Sequence, residues 1–325
     1  MRTSKWPAAI LLWLTPCLFG AVEWERHFQQ GQALEREGHY QAAAQEFEAA
    51  LALAGQAESS SGELPLTLHN LGVVYRELGR YFEAERCYLR AIAIFEGQQP
   101  GRSLELAASL ENLGALNLVL GRPSRAEPLY RRAYETRRDA LGPTHAKVGA
   151  SLHGLAQVSH QMHRYEAAED LYRQAAAVLE GALGQDALAV ADVLHNWALL
   201  YRDTRRDPEA RPLLERAAAS YGRAYPNHPK LAIILRNLAE LEASAGNVAR
   251  AGQLFERSLS ICDASLPPDH PQTGIILQAY GNFLYRAKRK KEARVVAQRA
   301  HAILTKAPRD NGSADTVDVS TFTRK

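Results

Sequence analysis

Residues 68–91 read LHNLGVVYRELGRYFEAERCYLRA, and this stretch decides the fold. Its first half predicts a helix, because apolar and small side chains recur on one face at helical spacing: Leu68, Leu71, Gly72 and Tyr75. Its second half predicts another helix on the same ground, with Ala84, Tyr88 and Ala91. Gly79 lies between the halves, where a glycine after a helix end takes the left-handed conformation. The stretch therefore predicts two helices joined by a tight turn.

Small residues at the centre of the stretch predict a close contact between the two helices. Gly72 and Ala84 leave room for the helices to approach, and Tyr88 fills the gap beside them. The same pattern, a small residue followed twelve positions later by alanine, begins at Gly31, Gly72, Gly114, Ala156, Ala198, Ala239 and Gly281. The interval between copies is 41 or 42 residues. A fixed period of this length predicts stacked helical units, which form a solenoid.

Two further positions recur in the second helix of each unit. An aromatic residue is found at Phe47, Tyr88, Tyr130, Tyr172 and Phe255, and a small residue closes the unit at Ala50, Ala91, Ala133, Ala175, Ala217, Ser258 and Ala300. The whole pattern resembles the tetratricopeptide repeat, whose usual period is about 34 residues. The longer period and joins such as residues 141–145, LGPTH, resemble its kinesin light chain subclass. The resemblance implies an all-α, right-handed superhelical solenoid of about seven antiparallel helix pairs.

The repeats bound the predicted domains. We expect the solenoid to span residues 23–306, with end copies that depart from the pattern at Gln30, Lys288 and Ala297, as terminal repeats often do. Residues 307–325 are polar and lack helical spacing, so we expect a disordered tail.

The first 22 residues differ from the rest of the chain. Arg2 and Lys5 precede an uncharged stretch from Trp6 to Val22, which is typical of an export signal. We therefore expect a signal peptide over residues 1–22 and an exported protein, periplasmic or secreted. The alternative is an uncleaved membrane anchor, and membrane contact is expected only through this segment and only if it is uncleaved.

Composition narrows the class of partner. The formal net charge is +3 and 23% of residues are charged, with both signs mixed, so nucleic acid is not an expected partner. Cys87 and Cys262 fall in the second and sixth repeats, too far apart for the Cα separation of under about 7 Å that a disulfide needs. We expect both to be buried free thiols.

In tetratricopeptide repeats the first helix of each pair lines a concave groove. The matching polar residues here are His69, Asn70, Arg76, Glu111, Asn112, His153, Gln157, His160, His195, Asn196, Arg202, Arg236, Asn237 and Glu240. Asparagine amides offer donors and an acceptor, so a row of them can hold an extended peptide backbone. Family members with a carboxylate-binding groove add basic residues beside the asparagines, a role that Arg76, Arg202 and Arg236 could fill. The alternative is that the asparagines only satisfy neighbouring helix ends and loops.

No motif indicates catalysis or a metal site. His153 and His160 are seven residues apart, about 10.5 Å along a helix, which is too far to share one ion. The histidines of the joins, His145, His228 and His270, recur with the loop and are interpreted as structural.

These observations predict a non-catalytic scaffold or adaptor that binds a protein or peptide segment in the concave groove. We expect no cofactor, metal or small-molecule substrate. The alternative is a structural or assembly component that acts through the convex face or through the basic C-terminal end, where residues 288–291 read KRKK.

Overall fold

The computed structural model describes residues 11–55, 62–98 and 101–306. The predicted tail, 307–325, and the first ten residues of the predicted signal lie outside the described residues. The described residues form fourteen α-helices and no strand: α1 (Leu11–Arg36), α2 (Tyr40–Ala54), α3 (Glu63–Glu77), α4 (Tyr81–Gly97), α5 (Ser103–Val119), α6 (Pro123–Leu141), α7 (Ala146–Gln161), α8 (Tyr165–Leu183), α9 (Leu188–Asp203), α10 (Asp207–Ala224), α11 (Pro229–Ser244), α12 (Val248–Ser265), α13 (Pro271–Arg286) and α14 (Lys290–Lys306).

The helices pair as the repeat pattern predicts, and the all-α solenoid of seven helix pairs is confirmed. The chain divides into two compact units, with described residues up to Ala140 in unit 1 and from Leu141 in unit 2. In unit 1, the pairs α1–α2 and α3–α4 are followed by α5–α6. In unit 2, the pairs are α7–α8, α9–α10, α11–α12 and α13–α14, and each second helix also contacts the first helix of the next pair. No helix of the described residues is long and apolar enough to cross a membrane.

The predicted contact between a glycine and an aromatic ring is confirmed. A Cβ atom built on Gly72 would lie 2.7 Å from Cε1 of Tyr88, and one built on Gly114 would lie 2.8 Å from the ring of Tyr130. Tyr88 is fully buried. The two helices of a pair therefore approach closely because one of them has no side chain at this point.

The turns within the pairs also follow the prediction. Gly38, Gly79, Gly121 and Gly246 have φ angles of 80°, 74°, 66° and 82°, in the left-handed region that suits glycine. Three repeats place another residue there, and His163, Arg205 and Lys288 take φ angles of 58°, 60° and 63°. The turn geometry is thus kept even where the favourable residue is absent.

The join histidines have a structural role. The Nδ1 atoms of His145, His228 and His270 accept hydrogen bonds from the backbone N–H two residues later, at 3.1, 3.0 and 3.2 Å. Each histidine is the N-cap of the helix that follows it, α7, α11 or α13. These side chains satisfy backbone donors that a helix start leaves unpaired.

Neighbouring pairs are linked by a tyrosine at the end of a first helix. The Tyr75 hydroxyl donates to Glu48 at 2.7 Å, and the Tyr201 hydroxyl donates to Glu169 at 2.8 Å. Arg80 lies 4.1 Å from the centre of the Tyr75 ring, so a cation covers the face of the ring. These contacts fix one pair on the preceding pair.

Cys87 and Cys262 are free and buried, as expected. Burial raises the pKa of each thiol to about 11, so the unreactive thiol form predominates at neutral pH.

Candidate peptide-binding surface

The first helices of neighbouring pairs are joined by bonds between histidine and asparagine. In each case Nδ2 of the asparagine donates to Nε2 of a histidine on the first helix of the preceding pair. The bonds are Asn112 to His69 at 3.4 Å, Asn196 to His153 at 2.9 Å and Asn237 to His195 at 2.7 Å. One bond lies in unit 1 and two lie in unit 2. We call these contacts the histidine–asparagine pairs.

These bonds require neutral histidines. Burial lowers the pKa of His69 and of His153 to about 4, and it lowers the pKa of His195 well below the ordinary value. Nearby cations act in the same direction: Arg76 on His69, and Lys230 on His153. The Nε2 atom of each ring is therefore free of a proton at neutral pH and can accept the amide N–H.

The orientation of one amide is determined by two arginines. Arg202 and Arg236 both donate to Oδ1 of Asn237, at 3.1 and 2.8 Å. The Nδ2 group of Asn237 must then face His195, whose proton is placed on Nδ1. That Nδ1 atom is buried and has no hydrogen-bond partner within the described part of the chain.

The predicted row of asparagines is thus already engaged within the protein. Asn112, Asn196 and Asn237 use amide N–H groups on histidines, and Asn70 donates to the backbone carbonyl of Leu66 in its own helix, at 2.9 Å. From the sequence, the alternative role of these asparagines was to form hydrogen bonds with neighbouring helix ends and loops. The observed partners are instead side chains of the preceding repeat and, for Asn70, a carbonyl within a helix.

Several other predicted groove residues also have partners within the protein. Glu111 accepts from Arg137 at 2.7 Å, which the sequence reasoning missed. Arg76 pairs with the adjacent Glu77 at 2.7 Å. In unit 2, His160 contacts Asp203 at 2.8 Å, and Gln157 lies half-buried on α7. Their binding role stays a prediction.

A charged cluster in unit 2 differs from these pairs. Arg202 on α9 and Arg236 on α11 converge on one carboxylate, Glu240, at 2.7 and 3.3 Å. The three side chains are 26%, 15% and 27% exposed. Burial lowers the pKa of Arg236, and the positive charge of Arg202 acts in the same direction. Two guanidinium groups face one carboxylate, so this arginine cluster carries an excess positive charge that is partly withdrawn from water.

A signal in the sequence could have revealed the histidine–asparagine pairs. The partners are 42 or 43 residues apart, which in each case is the local repeat interval of 41 or 42 plus one residue. Where the next repeat has Gly154 at the asparagine position, the preceding repeat has Glu111 in place of histidine. Where the next repeat has Ala279, the preceding one has Arg236. Each of the histidines is followed by a repeat with the asparagine, whereas Asn70, which follows Phe28, bonds within its own helix; the histidine thus occurs only where the amide can reach it, which indicates a direct contact.

No group of three or more histidine, cysteine or acidic side chains in the described residues could hold a metal ion. The surface presents amides, guanidinium groups and carboxylates, which recognise polar groups through hydrogen bonds and charge.

Solved structures with a similar fold include BtubC (BKLC) from P. vanneervenii, at 20% identity and a TM-score of 0.60, covering 70% of this chain and 91% of that one. A putative kinesin light chain of Podosopora anserina, with nearly identical TPR-like repeats, matches at 22% identity and a TM-score of 0.54, covering 63% and 97%. A Rap protein complexed with Competence and Sporulation Factor matches at 14% identity and a TM-score of 0.63, covering 88% and 76%.

No curated protein matches the sequence. Family models described as tetratricopeptide repeat match residues 25–56, 63–139, 105–181, 189–262 and 232–306. These matches extend over most of the chain and coincide with the observed helix pairs. The chain therefore belongs to the tetratricopeptide repeat family, with repeats like those of kinesin light chains.

Proposed function

We propose that this protein is an interaction scaffold that binds a carboxylate-bearing segment of a partner protein at the arginine cluster of unit 2. The observation that carries the proposal is the convergence of Arg202 and Arg236 on Glu240, the one carboxylate that pairs with both of them among the described residues. One negative charge does not balance two positive ones. A second carboxylate, from the C-terminus or an acidic side chain of a partner, would complete the cluster.

The chemistry of the cluster suits such a ligand. A guanidinium group presents several N–H donors in a plane, which match the two oxygens of a carboxylate. Hydrogen bonds to a charged group are stronger where water is partly excluded, and Arg236 is only 15% exposed. The bonds from Arg202 and Arg236 to Asn237 hold both guanidinium groups in place, so little ordering is left for the binding step.

The family supports the broader part of this proposal. Repeat solenoids commonly present extended surfaces to partner proteins. The Rap protein noted above was solved in complex with Competence and Sporulation Factor, so at least one protein of similar fold forms a complex with another molecule. The proposal that this protein's partner carries a carboxylate rests on the arginine cluster alone.

The experiment is a selection from a random peptide library with free C-terminal carboxylates, using the chain from residue 23 onward. Selected peptides are then synthesised as free acids and as amides, and their affinities are measured by calorimetry. We expect at least one carboxylate in each peptide, whose neutralisation lowers affinity about tenfold or more, as for a charge-assisted hydrogen bond of about 1.5–3 kcal/mol.

Variants locate the site. Arg202→Ala and Arg236→Ala should each weaken the selected peptides about tenfold or more on the same basis. Arg173→Ala is the matched control, because Arg173 lies in the same unit, is 60% exposed and pairs with Asp170 on α8. Peptides whose affinity is unchanged in both cluster variants would refute the proposed site.

Export of the protein remains part of the proposal. Residues 1–22 support it through the basic start and the uncharged stretch that follows. N-terminal sequencing of the protein recovered from its producing cells tests it, and an intact N-terminus on protein retained inside the cell would count against export.

A further inference from the structure

The outer face of α4 exposes two large apolar side chains. Phe82 is 69% exposed and Leu89 is 52% exposed, although both belong to a helix whose other face is buried. Arg86 and Ala93 are also exposed, and the four side chains lie along one line on the helix surface because of their helical spacing. We call these four residues the α4 stripe. Apolar side chains that share one exposed face, unlike single scattered ones, are typical of an interaction site.

The stacking of the repeats does not require this stripe. The glycine and aromatic positions of the core recur in successive repeats, whereas the residues of the stripe do not. At the four positions α8 has Glu166, Asp170, Arg173 and Ala177, and α12 has Ala249, Gln253, Glu256 and Ser260. In the second helices other than α4, Val295 of α14 is the one branched-chain or aromatic residue at these positions. Phe82 and Leu89 are therefore a property of the second repeat and not of the fold.

The stripe also carries positive charge without a matching carboxylate. Arg86, and Arg90 one turn further along α4, are exposed, and neither forms an ion pair within the described residues. Glu96, near the C-terminal end of α4, already pairs with Arg132 of α6 at 2.5 Å. The Arg86 guanidinium lies 5.9 Å from the centre of the Phe82 ring, so charge and apolar surface are adjacent. A complementary surface therefore combines apolar side chains with carboxylates.

A helix fits the shape of the stripe. Phe82 and Ala93 are eleven residues apart, which is about 16 Å along α4, or three helical turns. Side chains at this spacing form a ridge against which a second helix packs. An anionic bilayer fits less well, because a flat surface also meets Glu85 and Glu96, which border the stripe and are partly exposed. A helix is about 10 Å wide and can lie on the stripe alone.

A second copy of the chain is a poor partner for the stripe. Packing of two α4 stripes against each other would bring Arg86 and Arg90 of one copy close to those of the other, and like charges repel. The equivalent positions of α8 supply carboxylates, Glu166 and Asp170, but no large apolar side chain. The stripe therefore suits a different protein.

We propose that the α4 stripe binds an amphipathic helix of a partner protein, with the apolar side chains of that helix against Phe82 and Leu89 and its carboxylates beside Arg86 and Arg90. This surface belongs to unit 1, whereas the arginine cluster belongs to unit 2. Binding at the stripe does not depend on binding at the arginine cluster. With both surfaces, one chain can recognise two partners.

The test uses two synthetic libraries of helical peptides and the full-length chain. Each peptide has about fourteen residues, with randomised apolar side chains at four positions that have the spacing of the stripe. Both ends are blocked, which excludes a C-terminal carboxylate. The flanking positions are glutamate in one library and lysine in the other. We expect selection from the glutamate library alone, and the affinity of the selected peptides is then measured by fluorescence anisotropy.

Substitutions in the stripe locate the contact. Phe82→Ser and Leu89→Ser should each lower the affinity about tenfold or more, as expected for apolar side chains at the centre of an interface. Both positions are exposed, so the substitutions leave folding nearly unchanged, and circular dichroism verifies this. Leu183→Ser is the matched control, because Leu183 is 51% exposed on α8 in unit 2 and should not affect binding.

Charge reversal distinguishes a specific helix from a contact that is only apolar. Arg86→Glu together with Arg90→Glu should reverse the preference, so that the lysine version of a selected peptide binds more tightly than the glutamate version. Arg257→Glu, at the position of α12 that corresponds to Arg90, should leave the preference as it is.

Four results would overturn the proposal. The first is the absence of any selected peptide with a Kd below about 100 μM. The second is an affinity that Phe82→Ser and Leu89→Ser leave unchanged. Loss of affinity in Arg202→Ala, with Phe82→Ser unaffected, would assign the acidic peptides to the arginine cluster. Binding of phosphatidylserine vesicles instead of peptides, abolished by Phe82→Ser, would make the stripe a membrane contact.

Discussion

Moderate acid should lower the free energy of unfolding of this protein, because the histidines of the histidine–asparagine pairs are neutral in the folded state. His69 and His153 have pKa values of about 4 in the folded chain, whereas an exposed histidine titrates near 6.5. The folded pKa is the lower one, so the unfolded chain binds more protons between these values. The stability contributed by each neutral histidine is therefore fully present above pH 6.5 and is lost as the pH falls towards 4.

The magnitude follows from the two pKa values. Lowering the pH from 7 to 5 protonates the unfolded histidine almost completely and the folded one only slightly, which costs about 2 kcal/mol for each buried histidine. The full loss, reached below the folded pKa, is about 3.4 kcal/mol for each. Burial raises the pKa values of Glu169 and Glu242, but arginine and other hydrogen-bond partners lower them further, so that the net shift is downward. The stability that these carboxylates contribute is lost only as the pH falls below their ordinary pKa of 4.5. The histidines therefore dominate between about pH 6.5 and 5.

The assay is urea unfolding followed by circular dichroism at about pH 7 and pH 5, for the wild type and for His153→Gln. Glutamine keeps an acceptor for Asn196 and does not titrate, so we expect the variant to lose about 2 kcal/mol less between the two pH values. His39→Gln is the control, because His39 is exposed and makes no side-chain cap bond to α2. An identical pH dependence in wild type and His153→Gln would refute the assignment of His153 as a buried neutral acceptor.

Three further predictions concern stability and can be checked by thermal unfolding. Gly72→Ala should destabilise by about 1–3 kcal/mol through overpacking, whereas Gly252→Ala, whose nearest contact is at 3.9 Å, should not; equal effects would contradict the close approach. Asn237→Ala should cost about 2–3 kcal/mol because it leaves buried partners unpaired, and Asn70→Ala about 1 kcal/mol or less; the reverse order would contradict the bonding pattern. Arg205→Gly should stabilise by about 1 kcal/mol because it relieves a positive φ of 60°, and a lower melting temperature would show that the Arg205 side chain matters more.

The structure changes how one test of the groove must be designed. The sequence suggests Asn112→Ala with Asn196→Ala as a probe of peptide binding. Both amides donate to histidines of the preceding repeat, so these substitutions also remove bonds between repeats. If that variant lost a binding partner, the loss would not show whether the groove contacts or the stability of the repeats had been removed. Arg202→Ala and Arg236→Ala probe the proposed site more directly.

The fold could be predicted because its determinants are local and repeated. Gly72 and Tyr88 are sixteen residues apart, and the glycine turn lies between them, so a single stretch contains both the helices and their contact. The same pattern recurs at a constant interval, which also predicts that the pairs stack. The join histidines could be identified as structural for the same reason, since they recur with the loop.

The site was harder to predict because its contacts depend on the stagger between repeats. The row of polar residues on the first helices was identified, but periodicity alone does not show whether His153 points towards the next repeat or into solvent. Asn196 and His153 occupy positions that differ by one residue, and only the packed helices bring them to 2.9 Å. The convergence of Arg202 and Arg236 on Glu240 has the same origin.

The histidine–asparagine pairs also make the order of the repeats matter. Removing the fifth repeat, α9–α10, would place His153 opposite Asn237, and a matched pair would survive the deletion. Removing the sixth, α11–α12, would place His195 opposite Ala279 and leave the ring without its amide. The repeats of this protein are therefore not interchangeable. A duplication, deletion or reordering of repeats keeps these bonds only where each histidine is followed by a repeat that carries the asparagine.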